Sequence, residues 1–134
     1  MDNMNRKDLS GYRLSQAEQC LKSARILYEA EDYKGAANRA YYCIFHSIRS
    51  VIALDGVEFK RHSGNTTYFR KEYIKTGKFD ESMSDIITKA FTVRSESDYD
   101  DFYIVSKNET MEQINNAELF LESVKEFFGD DIKA

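Results

Sequence analysis

The run Asn38-Arg39-Ala40-Tyr41-Tyr42-Cys43-Ile44-Phe45-His46, with Arg49 just beyond it, decides how the chain folds. At about 100° per residue, Ala37, Ala40, Tyr41, Ile44, Phe45, Ile48, Val51 and Ile52 fall on one broad face of a helix. The opposite face carries Arg39, Tyr42, Cys43, His46, Arg49 and Ser50. Arg39 and His46 are about two helical turns apart, roughly 10 Å along the axis, and so line up on one side. A core helix has no need of a cation and an imidazole aligned away from its core. An Arg can hold a phosphate by two parallel hydrogen bonds. A His near neutral pH can take or give a proton. The competing reading is a surface Arg paired with an acid beside a half-buried His.

Around this run the pattern stays helical. Leu14, Ala17, Leu21, Ala24, Leu27 and Tyr28 repeat at three- and four-residue spacing and predict a helix over 11–30. Asp32 is a candidate N-cap for the helix that holds the run, 33–54, which Asp55-Gly56 closes. The short gap predicts an antiparallel hairpin, with Ala36, Ala37 and Ala40 allowing close approach. Residues 57–65 read as a loop and 66–75 as a short helix. Residues 79–94 read as a fourth helix, with Phe79, Met83, Ile86, Ile87, Ala90 and Phe91 inward. The Asp-rich segment 95–105 carries Tyr99, Phe102 and Tyr103 and reads as an ordered loop, since large rings are rarely left in water. Ser106 and Glu109 form a capping box for a last helix over 107–128.

The chain of 134 residues has no Pro, no Trp and only six Gly, against nine Tyr and nine Phe. Without Pro it lacks the strongest helix breaker, and its length suits one domain. The expected layout is a flexible N-terminus (1–10), one helical domain (11–129) and a C-terminal tail (130–134). The net charge of −4 argues against wholesale polyanion binding. It is uneven, however: Lys60, Arg61, Arg70, Lys71, Lys75 and Lys78 face only Glu72 within 60–78, while 79–101 is acidic. A local basic segment suits a small RNA or nucleotide site, or simply a solvated helix face.

Cys20 and Cys43 lack CxxC spacing and read as reduced, buried thiols. No apolar run approaches the ~20 residues of a membrane span, and Met1–Lys7 is polar, so a cytoplasmic protein without membrane contact is expected. Two His and scattered acids give no metal-ligand spacing, so neither a metal nor another cofactor is expected. His62, among Lys60, Arg61, Ser63 and Gly64, could touch a phosphate or cap a helix. Arg94 and Asp98 could pair, with Tyr99 anchoring the loop behind them.

Three blocks, taken together, resemble a known family. Ala37 to His46 resembles the second-helix signature of small prokaryotic HEPN-domain proteins. Lys60-Arg61-His62-Ser63-Gly64, followed by Phe69 and Lys75-Thr76-Gly77, resembles their next segment. Arg94-Ser95-Glu96-Ser97-Asp98-Tyr99-Asp100 resembles a block before the last helix. The resemblance covers about residues 12–128. It implies an all-α, up-and-down bundle of about five helices that forms a homodimer. It also implies metal-independent endoribonuclease activity, often as a toxin paired with a small nucleotidyltransferase antitoxin. In that pattern Arg39 would bind phosphate and His46 would be the acid–base group, both placed at a dimer cleft. Asn38, Tyr42, Arg49, Arg61 and His62 would bind RNA or nucleotide, and Arg94, Asp98 and Tyr99 would form a structural motif. This chain has Ala40 where active members often carry a polar residue. It has Ile48 where some paired toxins carry a Tyr that the partner modifies. The alternatives are a non-catalytic RNA- or nucleotide-binding module and a structural partner of a nucleotidyltransferase.

Overall fold

The computed structural model describes residues 3–129. The expected tail, 130–134, lies outside them. Five helices follow one another: α1 (Asn3–Glu29), α2 (Tyr33–Ile52), α3 (His62–Phe69), α4 (Ser82–Tyr99) and α5 (Lys107–Phe128). Among the described residues there is no strand, and the architecture is an all-α bundle. A 3₁₀ turn, Ala53–Asp55, extends α2, and a π-helical turn, Arg70–Ile74, extends α3. α2 is the central element and packs on α1, α3, α4 and α5.

The α1–α2 hairpin forms as the pattern predicts. Glu31 turns the chain with φ 64°, and the Asp32 carboxylate accepts from Gly35 N–H at 2.9 Å to cap α2. Ala17 and Ala24 on α1 and Ala36 and Ala40 on α2 are fully buried, so the two backbones come close. Gly56, at φ 72°, closes the 3₁₀ turn in the left-handed conformation that glycine adopts without strain. Ile44 is 2% exposed in the core behind the outward strip of α2. Ile44→Ala is expected to cost ~2–5 kcal/mol, read as a lower denaturation midpoint at unchanged slope.

Four expectations are corrected. α1 begins at Asn3 rather than at 11, so residues 3–10, expected to be flexible, are helical. Ser10 ties this first part down by donating its hydroxyl to Ser50 O at 2.5 Å. On α2, Cys43 and Ser50 are buried, not outward. The helix is packed on several sides, so its buried arc is wider than a half-cylinder. The hydroxyls inside that arc are satisfied along the helix: Ser47 donates to Cys43 O at 2.7 Å and Ser50 to Ser47 O at 2.6 Å.

The third correction is that α3 starts at His62 within the expected loop. The buried Asn65 amide donates to Phe59 O and Arg61 O, which closes this turn. Tyr68 and Tyr73 both donate to Asp55 Oδ2, at 2.9 and 2.8 Å, and clamp α3 against the end of α2. The fourth concerns α4, which runs on to Tyr99 because Arg94 and Asp98 pair one turn apart at 3.2 Å. Phe91, expected inward, is 54% exposed, and Tyr99 and Phe102 are exposed at 76% and 94%. Of the three rings in this segment only Tyr103 is held, by donating to the Glu109 carboxylate. At that exposure Tyr99 is not the buried anchor expected for this segment.

A candidate RNA-facing strip on α2

With Cys43 and Ser50 inside, the outward side of the long central helix narrows to Asn38, Arg39, Tyr42, His46 and Arg49. Their spacing of three and four residues makes one continuous strip.

Arg39 is held in place but not neutralised. Its Nε and Nη2 donate to Asn38 Oδ1 at 3.2 and 2.8 Å, and its guanidinium lies 5.0 Å from the Tyr42 ring centroid. Among the described residues no carboxylate lies within ion-pair distance of it, so it is not the acid-paired surface Arg of the competing reading.

His46 is half-buried. Its Nδ1 is buried without a hydrogen-bond partner among the described residues, and its ring lies 5.9 Å from both Tyr42 and Phe45. Burial, followed by the charges of Arg49, Arg39 and Arg13 and by His62, lowers its pKa from 6.5 to about 4. The imidazole is therefore neutral at pH 7. Between about 4 and 6.5 the unfolded chain binds the proton that the folded chain refuses, so this group's contribution falls as pH drops through that window. Thermal melts from pH 7 to 4.5 are expected to show a smaller loss for His46→Gln than for the parent.

Two cations flank the strip at one end. Arg13 of α1 is 4% exposed and donates to Arg49 O at 3.2 Å and to Glu58 Oε1 at 3.0 Å. Arg49 shares the same Glu58 oxygen at 3.6 Å and lies 5.7 Å from the Phe45 ring centroid. Burial, then Arg49, lowers the Arg13 pKa, while Glu58 opposes the shift. Arg13 was not legible as a site residue. The α1 pattern places it in the first turn of an expected helix, where a charge is ordinary.

His62 and Arg94 close the other side. The His62 ring lies 4.0 Å from Phe45, and its Nδ1 is hydrogen-bonded to the Tyr41 hydroxyl at 2.9 Å. Burial, then Arg94 and Arg49, lowers its pKa. The Arg94 guanidinium sits 4.9 Å from the Tyr41 ring and 5.4 Å from the Tyr42 ring, and donates to Tyr42 OH at 3.3 Å. The expected Arg94–Asp98 pair exists. It does more than end a helix, because it delivers a cation from α4 onto the aromatic wall of the strip. Arg61 is exposed at the entry to α3, where its carbonyl accepts from Asn65. Phe45, Arg49, Glu58, Phe59, Lys60 and His62 line an open cleft of about 410 Å³ beside the strip.

The result is a surface of cations and two imidazoles, His46 among them neutral at pH 7, backed by aromatic rings and suited to holding a phosphodiester and moving protons near it. Among the described residues no group of three or more His, Cys, Asp or Glu could hold a metal ion. Among them, too, no helix is long and apolar enough to cross a membrane. Cys20 and Cys43 are buried and unbridged, and burial pushes the Cys43 thiol up to about 12.

The fold and strip define an all-α bundle that presents an Arg and a His from its second helix. Residues 10–127 match the HEPN domain family, and the chain belongs to that family. A UPF0332 protein of Thermotoga maritima is 29% identical over 95% of this chain and 97% of its own length. Two proteins of Methanocaldococcus jannaschii, each named "Putative toxin", are similar as well. One is 30% identical over 85% of this chain and 78% of its own length. The other is 33% identical over 81% of both chains.

Proposed function

We propose that this chain is a toxin-like HEPN protein that cleaves RNA without a metal ion, with Arg39 binding the scissile phosphate and His46 acting as general base. One observation carries the reading: Arg39 has no acidic partner among the described residues and is aligned with a His46 that burial, helped by the neighbouring cations, holds neutral. A neutral imidazole can accept the 2′-hydroxyl proton at once. The 2′-oxygen then attacks phosphorus, and the charge that grows on the phosphoryl oxygens falls beside Arg39. The products are a 2′,3′-cyclic phosphate and a 5′-hydroxyl. The relatives named as toxins support a growth-inhibiting role.

The same proposal includes a homodimer formed through this face. Two-fold symmetry would bring both copies' Arg39 to one cleft, where two cations without an acidic partner among the described residues repel each other unless an anion lies between them, while Arg49 shares Glu58 with Arg13. A nucleotidyltransferase-type antitoxin is the partner class that fits a toxin of this kind. With Ile48 in place, that partner would have to act without a tyrosine two residues past His46.

The test is incubation of a labelled RNA pool in EDTA with the parent and with Arg39→Ala. Cleavage by the parent and little by the variant is expected. If the parent binds RNA but leaves it intact, the strip is a binding site only.

A further inference from the structure

Transesterification at phosphorus needs two proton transfers on opposite sides: one from the attacking 2′-oxygen and one to the departing 5′-oxygen. His46 offers one working edge, because its Nδ1 is buried away from solvent. A second group is needed for the leaving side.

We infer that His62 is that group: within one chain it protonates the 5′-oxygen while His46 accepts the 2′ proton. The inference rests on the RNA-cleavage reading above. Three observations support it. The two imidazoles share their neighbours: Phe45 lies 5.9 Å from His46 and 4.0 Å from His62, and Tyr42 lies 5.9 Å from each. They come from different elements, α2 and the start of α3, so a phosphate between them can be approached from two directions. His62 is also oriented. Its Nδ1 is tied to Tyr41 OH at 2.9 Å, which leaves Nε2 as the exchangeable edge, and the ring lines the cleft shared with Arg49 and Lys60. A core histidine would not need to be held by one nitrogen at the wall of an open cleft.

The step balances. His46 Nε2 takes the 2′-hydroxyl proton, O2′ bonds to phosphorus, the P–O5′ bond breaks, and O5′ leaves with the Nε2 proton of protonated His62. His46 ends with one proton more and His62 with one fewer, and exchange with water restores both. While charged, His62 keeps its Nδ1–H donated to the Tyr41 oxygen. Bound phosphate favours that charged form. Tyr41 is a positioning residue in this scheme.

The experiment compares an ordinary RNA oligonucleotide with one carrying sulfur in place of the leaving 5′-oxygen, since a thiolate departs without a proton. His62→Gln in the full chain is expected to slow cleavage of the ordinary RNA by roughly a hundred- to ten-thousand-fold. It should cut the sulfur substrate at close to the parent rate. Tyr41→Phe should show a weaker version of the same pattern, and His46→Gln should stay slow on both substrates. Rescue by sulfur also proves that the variant is folded. Parent-like cleavage of ordinary RNA by His62→Gln overturns the assignment and moves the acid to the second copy's strip. Equal loss on both substrates overturns it as well and makes His62 a binding residue. A parent that cuts neither substrate refutes the RNA-cleavage reading itself.

Discussion

His46→Ala is expected to slow RNA cleavage by roughly a hundred- to ten-thousand-fold while leaving the fold almost unchanged. The loss should appear in kcat, because Arg39 and Arg49, the groups proposed to bind phosphate, stay in place. Folding should be spared for a local reason. The buried Nδ1 of His46 has no partner among the described residues, so truncation orphans no buried hydrogen bond. It also removes a group that could take up a proton at acid pH only against its burial and three neighbouring arginines. Single-turnover cleavage, RNA binding by fluorescence anisotropy and a urea melt separate these effects. A stability loss above ~2 kcal/mol for His46→Ala would make it a core histidine instead.

Phe69→Ala carries the largest expected stability cost, ~3–5 kcal/mol. Phe69 is fully buried, with Tyr73, Phe79 and Phe120 ring centroids at 5.7, 5.2 and 5.8 Å. These partners come from the π turn, the loop before α4, and α5, so one ring joins three parts of the chain. A domain of this size is typically stable by about 5–15 kcal/mol, so the variant should keep only a fraction of its stability. Because Phe69 fixes α3, and α3 begins at His62, loosening should reach the strip. The denaturation midpoint and the His62 imidazole NMR resonance are the two readouts: the first should fall sharply and the second should broaden. An unchanged midpoint would mean that α3 is not part of the cooperative core.

Much of the fold was legible because one helix dominates it. The apolar residues of α2 recur at helical spacing, and the caps at Asp32 and Ser106 are local signals. Both N-caps form, with Asp32 accepting from Gly35 and Ser106 from Glu109, while the Glu109 carboxylate, read as the other half of a capping box, accepts from Tyr103. The misreadings share a cause. Periodicity assigns a helix two faces, but α2 touches four other helices, so Cys43 and Ser50 turn inward. The polar start of α1 carries no apolar repeat, and its ties are tertiary, among them a hydroxyl bond from Ser10 across to α2. Tyr99 and Phe102 were expected in a packed loop, yet both are solvent-exposed.

The candidate site divides in the same way. Asn38, Arg39, Tyr42, His46 and Arg49 lie on one helix, so spacing alone aligns them. Arg13 and Arg94 reach the strip from α1 and α4. His62 meets Phe45 only once α3 is clamped to Asp55. Such tertiary convergence leaves no mark in a local pattern.

The central claim is that His46 and Arg39 promote attack by the RNA's own 2′-hydroxyl. The most direct measurement uses one oligonucleotide with a mapped cleavage site and its counterpart carrying a single 2′-deoxy sugar there, both in EDTA. The account predicts cleavage of the first to a 2′,3′-cyclic phosphate and a 5′-hydroxyl, and no cleavage of the second at that site. Cleavage of the 2′-deoxy oligonucleotide, or products ending in a 3′-hydroxyl and a 5′-phosphate, would contradict it.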